Sequence, residues 1–441
     1  MKRLITILFL LTAVCALFAG CSMSTVDSLY CLPKRSEEHN DLQAAIDAAM
    51  VNLEYSAPRA GENQQTVQAA DLDGDGVEEY LLFAKGNGEK PLQILIFQWA
   101  EDGCFLAETI ESYGTSFEQV EYVYVDDQPG CEMVIGRQLS DQVVRSVTVY
   151  TFANGQAEQL MTGNYTRFLT CDLDGDQRDE LLILRPGESE EHNGIAEYFS
   201  YSNGEMERST EAPMSESADK LKRIMASKLA DGSPAVYVAS AVDEDSIITD
   251  VFSIVDGKFT NVSLSNESGT SVKTLRNYFI YADDIDEDGI MELPALITMT
   301  SSGTEERTVD NRYLIRWYAM MPNGDEVDKM YTYHNFGGGW FICLDGTWAS
   351  RLNVVQEAGE YSFWLWDERF SKSEKLMTIY AFTGQDREEL AVTDNRFLLY
   401  RGDAVVYAAA LEVKAANYDI AREKLINSFH LIHQDWKTGE T

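Results

Sequence analysis

The chain has 441 residues, and its 73 aspartates and glutamates outnumber its 35 lysines and arginines, which gives a formal net charge of −38. A charge of this sign repels nucleic acid and anionic lipid head groups, so the composition argues against both as partners. A chain of this length usually contains two or more domains.

Residues 1–20 have the features of a secretory signal peptide. Two basic residues precede an apolar stretch over residues 4–19, which is too short for a typical membrane span. The stretch ends before Cys21 in a pattern that resembles the bacterial lipobox, with Phe18 where leucine is preferred. The resemblance implies a lipid on Cys21 and an extracytoplasmic chain anchored to the bacterial cell membrane. Ordinary signal cleavage is the alternative.

A linker and a helix are predicted to follow, over residues 21–60. The helix is expected over 36–55, with Ser36 as its N-cap. Its apolar side chains share one face, which we expect to pack on the next domain: Leu42, Ala45, Ile46, Ala49 and Leu53.

A nine-residue acidic loop occurs three times, at residues 71–79, 172–180 and 284–292. Each copy has carboxylates at positions 1, 3, 5 and 9, and a short apolar run follows it. Four like charges in nine residues repel one another, so the pattern predicts a hard divalent cation, most simply structural calcium. The predicted carboxylate ligands are Asp71, Asp73, Asp75, Glu79, Asp172, Asp174, Asp176, Glu180, Asp284, Asp286, Asp288 and Glu292.

Two further loop positions have defined roles in calcium sites. Position 6 makes a sharp turn, which suits Gly76 and Gly289, whereas Gln177 in the second loop predicts a more strained turn or a weaker site. Position 7 offers its backbone carbonyl to the ion. The predicted carbonyl ligands are Val77, Arg178 and Ile290.

These loops are not EF-hands, because position 12 has no glutamate and strand-like runs follow instead of helices. An acidic loop that leads directly into a buried strand resembles the FG-GAP, or VCBS, repeats of integrin-alpha-type β-propellers. Those repeats have the form Asp-x-Asp-x-Asp-Gly-x-x-Asp, and this chain has glutamate at the last position. The resemblance covers residues 60–335 and implies a calcium-binding β-propeller.

The spacing of the loops indicates a shorter repeat. The loops start 101 and 112 residues apart, so degenerate copies are expected midway, and residues 122–135 and 235–245 keep parts of the pattern. Asn-Gly and Asp-Gly pairs between β-rich runs predict hairpins. Five units, starting near residues 66, 118, 166, 232 and 278, predict a mainly β fold with a propeller of five or more blades.

Three consecutive glycines, Gly337 to Gly339, predict a domain boundary. The propeller would span residues 61–335 and a small α+β domain residues 336–441. A closing helix is expected over 417–429, and the order of strands and helix faintly resembles PsbP-like domains. The side chains of this helix that are predicted to point inward are Tyr418, Ala421, Leu425 and Phe429.

No hydrolase, metalloprotease or phosphate-binding motif is present in the sequence, so no catalytic residue is assigned. We therefore expect a lipid-anchored, calcium-stabilised module that binds or scaffolds a protein or glycan on the bacterial surface. Enzymatic activity is undecided, with absence the favoured interpretation. Two alternatives stay open: a carbohydrate-active hydrolase or lyase that uses carboxylates of the propeller, and an envelope-assembly factor that binds exported proteins.

Overall fold

The computed structural model describes residues 37–100, 103–140, 144–187, 193–278, 280–299, 313–349, 351–367 and 372–432. The predicted signal peptide, Cys21 and Ser36 lie outside these residues. Within the described ranges, no helix is both long and apolar enough to cross a bilayer. The described residues form two compact units: residues 37–57, Gln65–Asp71 and Gly76–Tyr113 belong to the first, and Pro58–Gln64, Leu72–Asp75 and the described residues from 114 to 432 belong to the second.

The first unit contains one helix and one antiparallel sheet. The strand order is β1-β3-β4-β5, with β2 also paired to β3. The helix ends earlier than predicted, because Glu54 and Tyr55 pair with β3 as a strand. Its predicted apolar face packs against the sheet around the buried side chain of Ile46. The elements are α1 (Glu37–Ala49), β1 (Glu54–Tyr55), β2 (Val67–Ala70), β3 (Glu79–Lys85), β4 (Leu92–Ala100) and β5 (Gly103–Ser112).

The second unit begins with three four-stranded antiparallel sheets, in each of which the strands pair in chain order. These are β6 (Ser116–Val123), β7 (Glu132–Gln138), β8 (Arg145–Ala153) and β9 (Gln156–Tyr165); β10 (Arg167–Cys171), β11 (Glu180–Pro186), β12 (Gly194–Ser202) and β13 (Glu205–Met214); and β14 (Leu221–Lys228), β15 (Pro234–Ala241), β16 (Ile247–Val255) and β17 (Lys258–Asn261).

Two five-stranded antiparallel sheets follow, with the strand orders β18-β19-β20-β21-β27 and β22-β23-β24-β26-β25. Their elements are β18 (Glu292–Thr298), β19 (Tyr313–Met320), β20 (Glu326–Asn335), β21 (Trp340–Leu344), β22 (Leu352–Glu357), β23 (Glu360–Asp367), β24 (Lys372–Thr383), α2 (Arg387–Leu390), β25 (Phe397–Arg401), β26 (Val405–Leu411), α3 (Arg422–Ser428) and β27 (Phe429–Leu431). The prediction of a mainly β fold is confirmed.

Within the second unit, each sheet packs face to face on the next one along the chain. In β11, Leu181 and Ile183 enter the core shared with β6–β9, whereas Leu182 and Leu184 enter the core shared with β14–β17. Side chains alternate across a strand, so a strand buried on both faces has a continuous apolar sequence. The prediction that the run after this acidic loop is a buried strand is therefore confirmed. Similar cores join the fourth sheet along the chain to the fifth and the fifth to the sixth.

The predicted hairpins also form. Asn154-Gly155 joins β8 to β9 and Asn203-Gly204 joins β12 to β13, and all four residues have positive φ, as a tight two-residue turn requires. The predicted starts of the first three units fall beside β2, β6 and β10. The fourth sheet begins earlier than predicted, at Leu221, and the first strand of the fifth begins later, at Glu292.

Strand pairing continues through the glycine segment at which the sequence predicts a domain boundary. Gly339 has a φ of +70°, and a Cβ on Gly338 would lie 2.7 Å from the Trp340 ring, so the glycines form a tight turn that joins β20 to β21. The C-terminal strand β27 then adds to β21. The closing helix is shorter than predicted, because Phe429 begins β27; Ala421 is exposed, and Leu425 is buried as expected.

Candidate metal centre

Three carboxylates come together in each acidic loop. The side chains at positions 1, 3 and 9 each offer an oxygen, and the three oxygens lie within 4.8 Å of one another. The groups are Asp71, Asp73 and Glu79; Asp172, Asp174 and Glu180; and Asp284, Asp286 and Glu292. Carboxylate oxygens are the ligands that calcium and magnesium prefer, so each group has the chemistry of a hard-cation site.

The position-1 aspartate folds each loop around its own carboxylate. Its Oδ2 accepts a hydrogen bond from the position-6 amide: Gly76 to Asp71 at 3.1 Å, Gln177 to Asp172 at 2.9 Å and Gly289 to Asp284 at 2.8 Å. In each loop, donor and acceptor of this hydrogen bond are five residues apart.

The turn also requires left-handed backbone at positions 4 and 6. Position 4 has φ values of +73°, +84° and +59°, and position 6 has +86°, +73° and +82°. L-residues pay a steric cost in this region. The strain predicted at Gln177 is present as a positive φ. Glu287 at position 4 also has a positive φ, which the analysis of the sequence does not predict. Glycine at position 4 of the other two loops, Gly74 and Gly175, was the available signal.

The position-9 glutamate begins the strand after each loop and is almost completely buried. Glu180 and Glu292 reach back into the loop, where their Oε2 atoms accept from the position-2 amides of Leu173 at 2.8 Å and Ile285 at 3.1 Å. In the degenerate copy, Glu132 makes the same bond to the Val125 amide at 3.0 Å. The position-9 glutamate therefore has a structural role, which sequence spacing alone did not indicate.

Burial and neighbouring acids act on these glutamates in the same direction. Burial is the main cause that raises the pKa of Glu180 to about 7 and that of Glu292 to about 8, and the aspartates of each loop raise both further. The Oε1 of Glu292 has no hydrogen-bond partner within the described part of the chain, although this side chain is fully buried. A divalent ion would satisfy that oxygen and favour the ionised carboxylate, so the residues present fit the ion.

Position 5 does not join the carboxylate groups. Asp176 is paired with Arg178, whose Nε lies 2.8 Å from Oδ2, and Asp288 is paired with Lys329. In the first loop, Asp75 is exposed. At position 7, the amides of Arg178 and Ile290 donate to these aspartates, while the carbonyls of Val77, Arg178 and Ile290 stay predicted ligands.

Open pockets lie beside the second and third loops. One, of about 720 Å³, is lined by Asp284 and Asp286 and by Phe341 and His430, whose rings stack with centroids 4.9 Å apart. The other, of about 820 Å³, is lined by Asp174, Asp176 and Lys258 among others. Both offer acidic groups to a ligand, and His430 is exposed.

Comparison with known proteins gives no family. No protein-family model and no curated protein matches the chain. Solved structures with some likeness include a rhamnogalacturonan lyase PL11 of Bacillus licheniformis (TM-score 0.33, 15% identity, 73% of this chain and 62% of that one) and the rhamnogalacturonan lyase YesW (0.33, 14%, 73% and 62%). A protein from Lactobacillus plantarum has a TM-score of 0.30 and 12% identity, and the match covers 73% of this chain and 86% of that one. The chain thus spans less than two thirds of the length of these lyases.

Proposed function

We propose that the protein is a lipid-anchored, calcium-stabilised β-propeller of the FG-GAP/VCBS type that binds or scaffolds a protein or glycan on the bacterial surface. The observation that carries the proposal is a repeated unit, in which a buried glutamate closes an acidic loop and begins a strand of a sheet. Sheets of four or five strands that pack face to face in chain order are the construction of propellers.

Calcium would be held by the carboxylates at positions 1, 3 and 9 of each loop. The ion neutralises the repulsion among these acids and fixes the loop to the strand that follows. This role is structural, so the binding function belongs to the surfaces around the loops. The two pockets beside the second and third loops are the surfaces of the second unit that we assign to ligand.

Calorimetric calcium titration of the purified chain, with melting temperatures in calcium and in chelator, tests the metal. Calcium at one hundred times its Kd stabilises a folded chain by about 2.7 kcal/mol for each site. Asp174→Asn removes a position-3 ligand and should lose one site. Asp179→Asn is the matched control, because Asp179 belongs to the same loop but not to the carboxylate group. Absence of both heat and a shift in melting temperature would refute the proposal.

The anchor and the enzyme alternative have their own tests. Cys21→Ser should move the protein from the membrane fraction to the soluble fraction of cells. Incubation with a panel of polysaccharides separates the binding module from a hydrolase or lyase. Turnover that is lost on a single Asp or Glu substitution outside the three loops would favour the enzyme, and cross-linking to other exported proteins in cells would favour an assembly factor.

A further inference from the structure

The third acidic loop contains a positive charge that comes from elsewhere in its sheet. The Nζ of Lys329 donates a hydrogen bond to Oδ2 of Asp288, the position-5 aspartate. The same Nζ lies 3.9 Å from Oε1 of Glu292, the position-9 glutamate. One ammonium group therefore contacts two of the four carboxylates that the sequence assigns to the ion.

The sheet directs this lysine toward the loop. Lys329 lies on β20, and the register between β19 and β20 shifts there, because Trp317 pairs with Met330 while Tyr318 pairs with Asp328. Lys329 is the extra residue of this irregularity, and such bulges re-aim a side chain. Its side chain is 19% exposed, so the ammonium is partly withdrawn from water.

The second loop has a basic partner of a different origin. Arg178 is position 7 of the loop itself and binds Asp176, two residues before it. Both members of that pair lie within the loop, whereas Lys329 links the third loop to a strand, 41 residues from Asp288 in sequence. The two loops therefore differ in what balances their position-5 charge.

Glu292 supplies the second observation. The side chain is fully buried, its Oε2 is held by the Ile285 amide, and its Oε1 has no hydrogen-bond partner in the described residues. A buried carboxylate oxygen without a hydrogen bond needs a positive charge nearby. In the chain itself Lys329 supplies that charge, and a bound cation would supply it from outside.

We propose that Lys329 is an internal counter-ion of the third loop: through Asp288 and Glu292 it holds the loop closed without metal, and it competes with a divalent cation for Glu292, the position-9 ligand. The inference rests on the calcium binding of the proposed function and adds that Lys329 weakens this binding at the third loop. A dication bound to these carboxylates would lie close to the ammonium and be repelled by it. Removing the ammonium should therefore tighten calcium binding at one site by about tenfold.

The test uses Lys329→Met, which keeps most of the apolar stem and removes the charge. In calorimetric titration of the full chain with calcium chloride, one site should tighten about tenfold. In chelator, the melting temperature should fall below that of the unchanged chain, because the loop has lost its internal cation. Lys414→Met is the matched control: it removes an equal charge that pairs with Glu374, at 2.7 Å, and should leave calcium binding unchanged.

The outcomes separate this inference from the proposed function. Calcium binding of the same strength in the unchanged chain and in Lys329→Met overturns the competition alone. An unchanged melting temperature in chelator overturns the internal counter-ion. If no variant binds calcium, both the competition and the calcium-stabilised module are refuted. Should Lys329→Met fold only in calcium, the inference is supported; should it not fold at all, Lys329→Gln is measured in the same way.

Discussion

Glu132 allows the structural role of the position-9 glutamate to be measured apart from metal. It lies in the degenerate copy, where Tyr124 and Gln128 replace two of the acids. Its side chain is 3% exposed, and it accepts from the Val125 amide at 3.0 Å and from the Thr151 hydroxyl at 3.3 Å. Burial is the main cause that raises its pKa from 4.5 to about 6.

The sign of the effect follows from the raised pKa. Between pH 4.5 and 6 the folded chain holds the proton of Glu132 more tightly than the unfolded chain does, so folding stability falls as the pH rises through this window. One pKa unit corresponds to about 1.4 kcal/mol, so this group lowers stability by about 2 kcal/mol between pH 4 and pH 8. Glu132→Gln keeps an acceptor for the Val125 amide and has no charge, so it should be about as stable as the unchanged chain at pH 4 and about 2 kcal/mol more stable at pH 8.

Glu132→Ala separates the hydrogen bonds from the charge. It leaves the buried Val125 amide without its acceptor, which should make it about 1–3 kcal/mol less stable than Glu132→Gln at both pH values. The assay is urea denaturation of the three proteins in chelator at pH 4, 6 and 8. A Gln variant as unstable as the Ala variant, or one that keeps the full pH dependence of the unchanged chain, would refute the reasoning.

Three further predictions concern the second unit. In chelator, Glu287→Gly and Gln177→Gly should each stabilise the protein by about 0.5–1 kcal/mol in urea denaturation, because both residues have positive φ. Alanine at either position should not stabilise the protein, and stabilisation by alanine would contradict the argument. Asp250→Asn should destabilise the protein by about 2–3 kcal/mol in the same assay. The buried carboxylate of Asp250 accepts four hydrogen bonds, and the amide group of asparagine would face some of these donors with its own N–H. An unchanged urea midpoint would contradict this. In chelator, the free energy of unfolding should fall as the pH rises from about 4.5 toward 8, because folded Glu180 and Glu292 hold their protons more tightly than the unfolded chain does. The slope should be up to about 1.4 kcal/mol per pH unit for each glutamate, and saturating calcium should abolish it. A stability that rises with pH in chelator would contradict the assignment.

The strands and turns were predictable because their signals are local. A continuous apolar run such as residues 181–184 indicates a strand buried on both faces, and Asn154-Gly155 indicates a two-residue hairpin. The convergence of positions 1, 3 and 9 was also predictable, because alternate residues of a tight loop point inward. In these cases the information lies within a few residues of the feature.

The glycine segment shows where local signals mislead. Gly337 to Gly339 indicate an interruption in regular structure, and a turn within a sheet and a linker between domains look the same in sequence. The structure distinguishes them through distant partners: the Ile432 amide donates to the Gly339 carbonyl at 2.9 Å, and the Tyr407 hydroxyl donates to the Gly338 carbonyl at 2.7 Å. Those partners lie about 70 to 90 residues further along the chain, where no local pattern refers to them.

The position-5 aspartates show the same limit at the candidate metal centre. In sequence, Asp176 and Asp288 are equivalent acids, and nothing near Asp288 indicates a lysine partner. Lys329 reaches it only because an irregularity in β20 directs that side chain across the sheet. Three loops that share one sequence pattern therefore differ in their resident charges, and their cation affinities should differ with them. A motif identifies which residues can bind an ion, whereas the strands around it decide how strongly they do so.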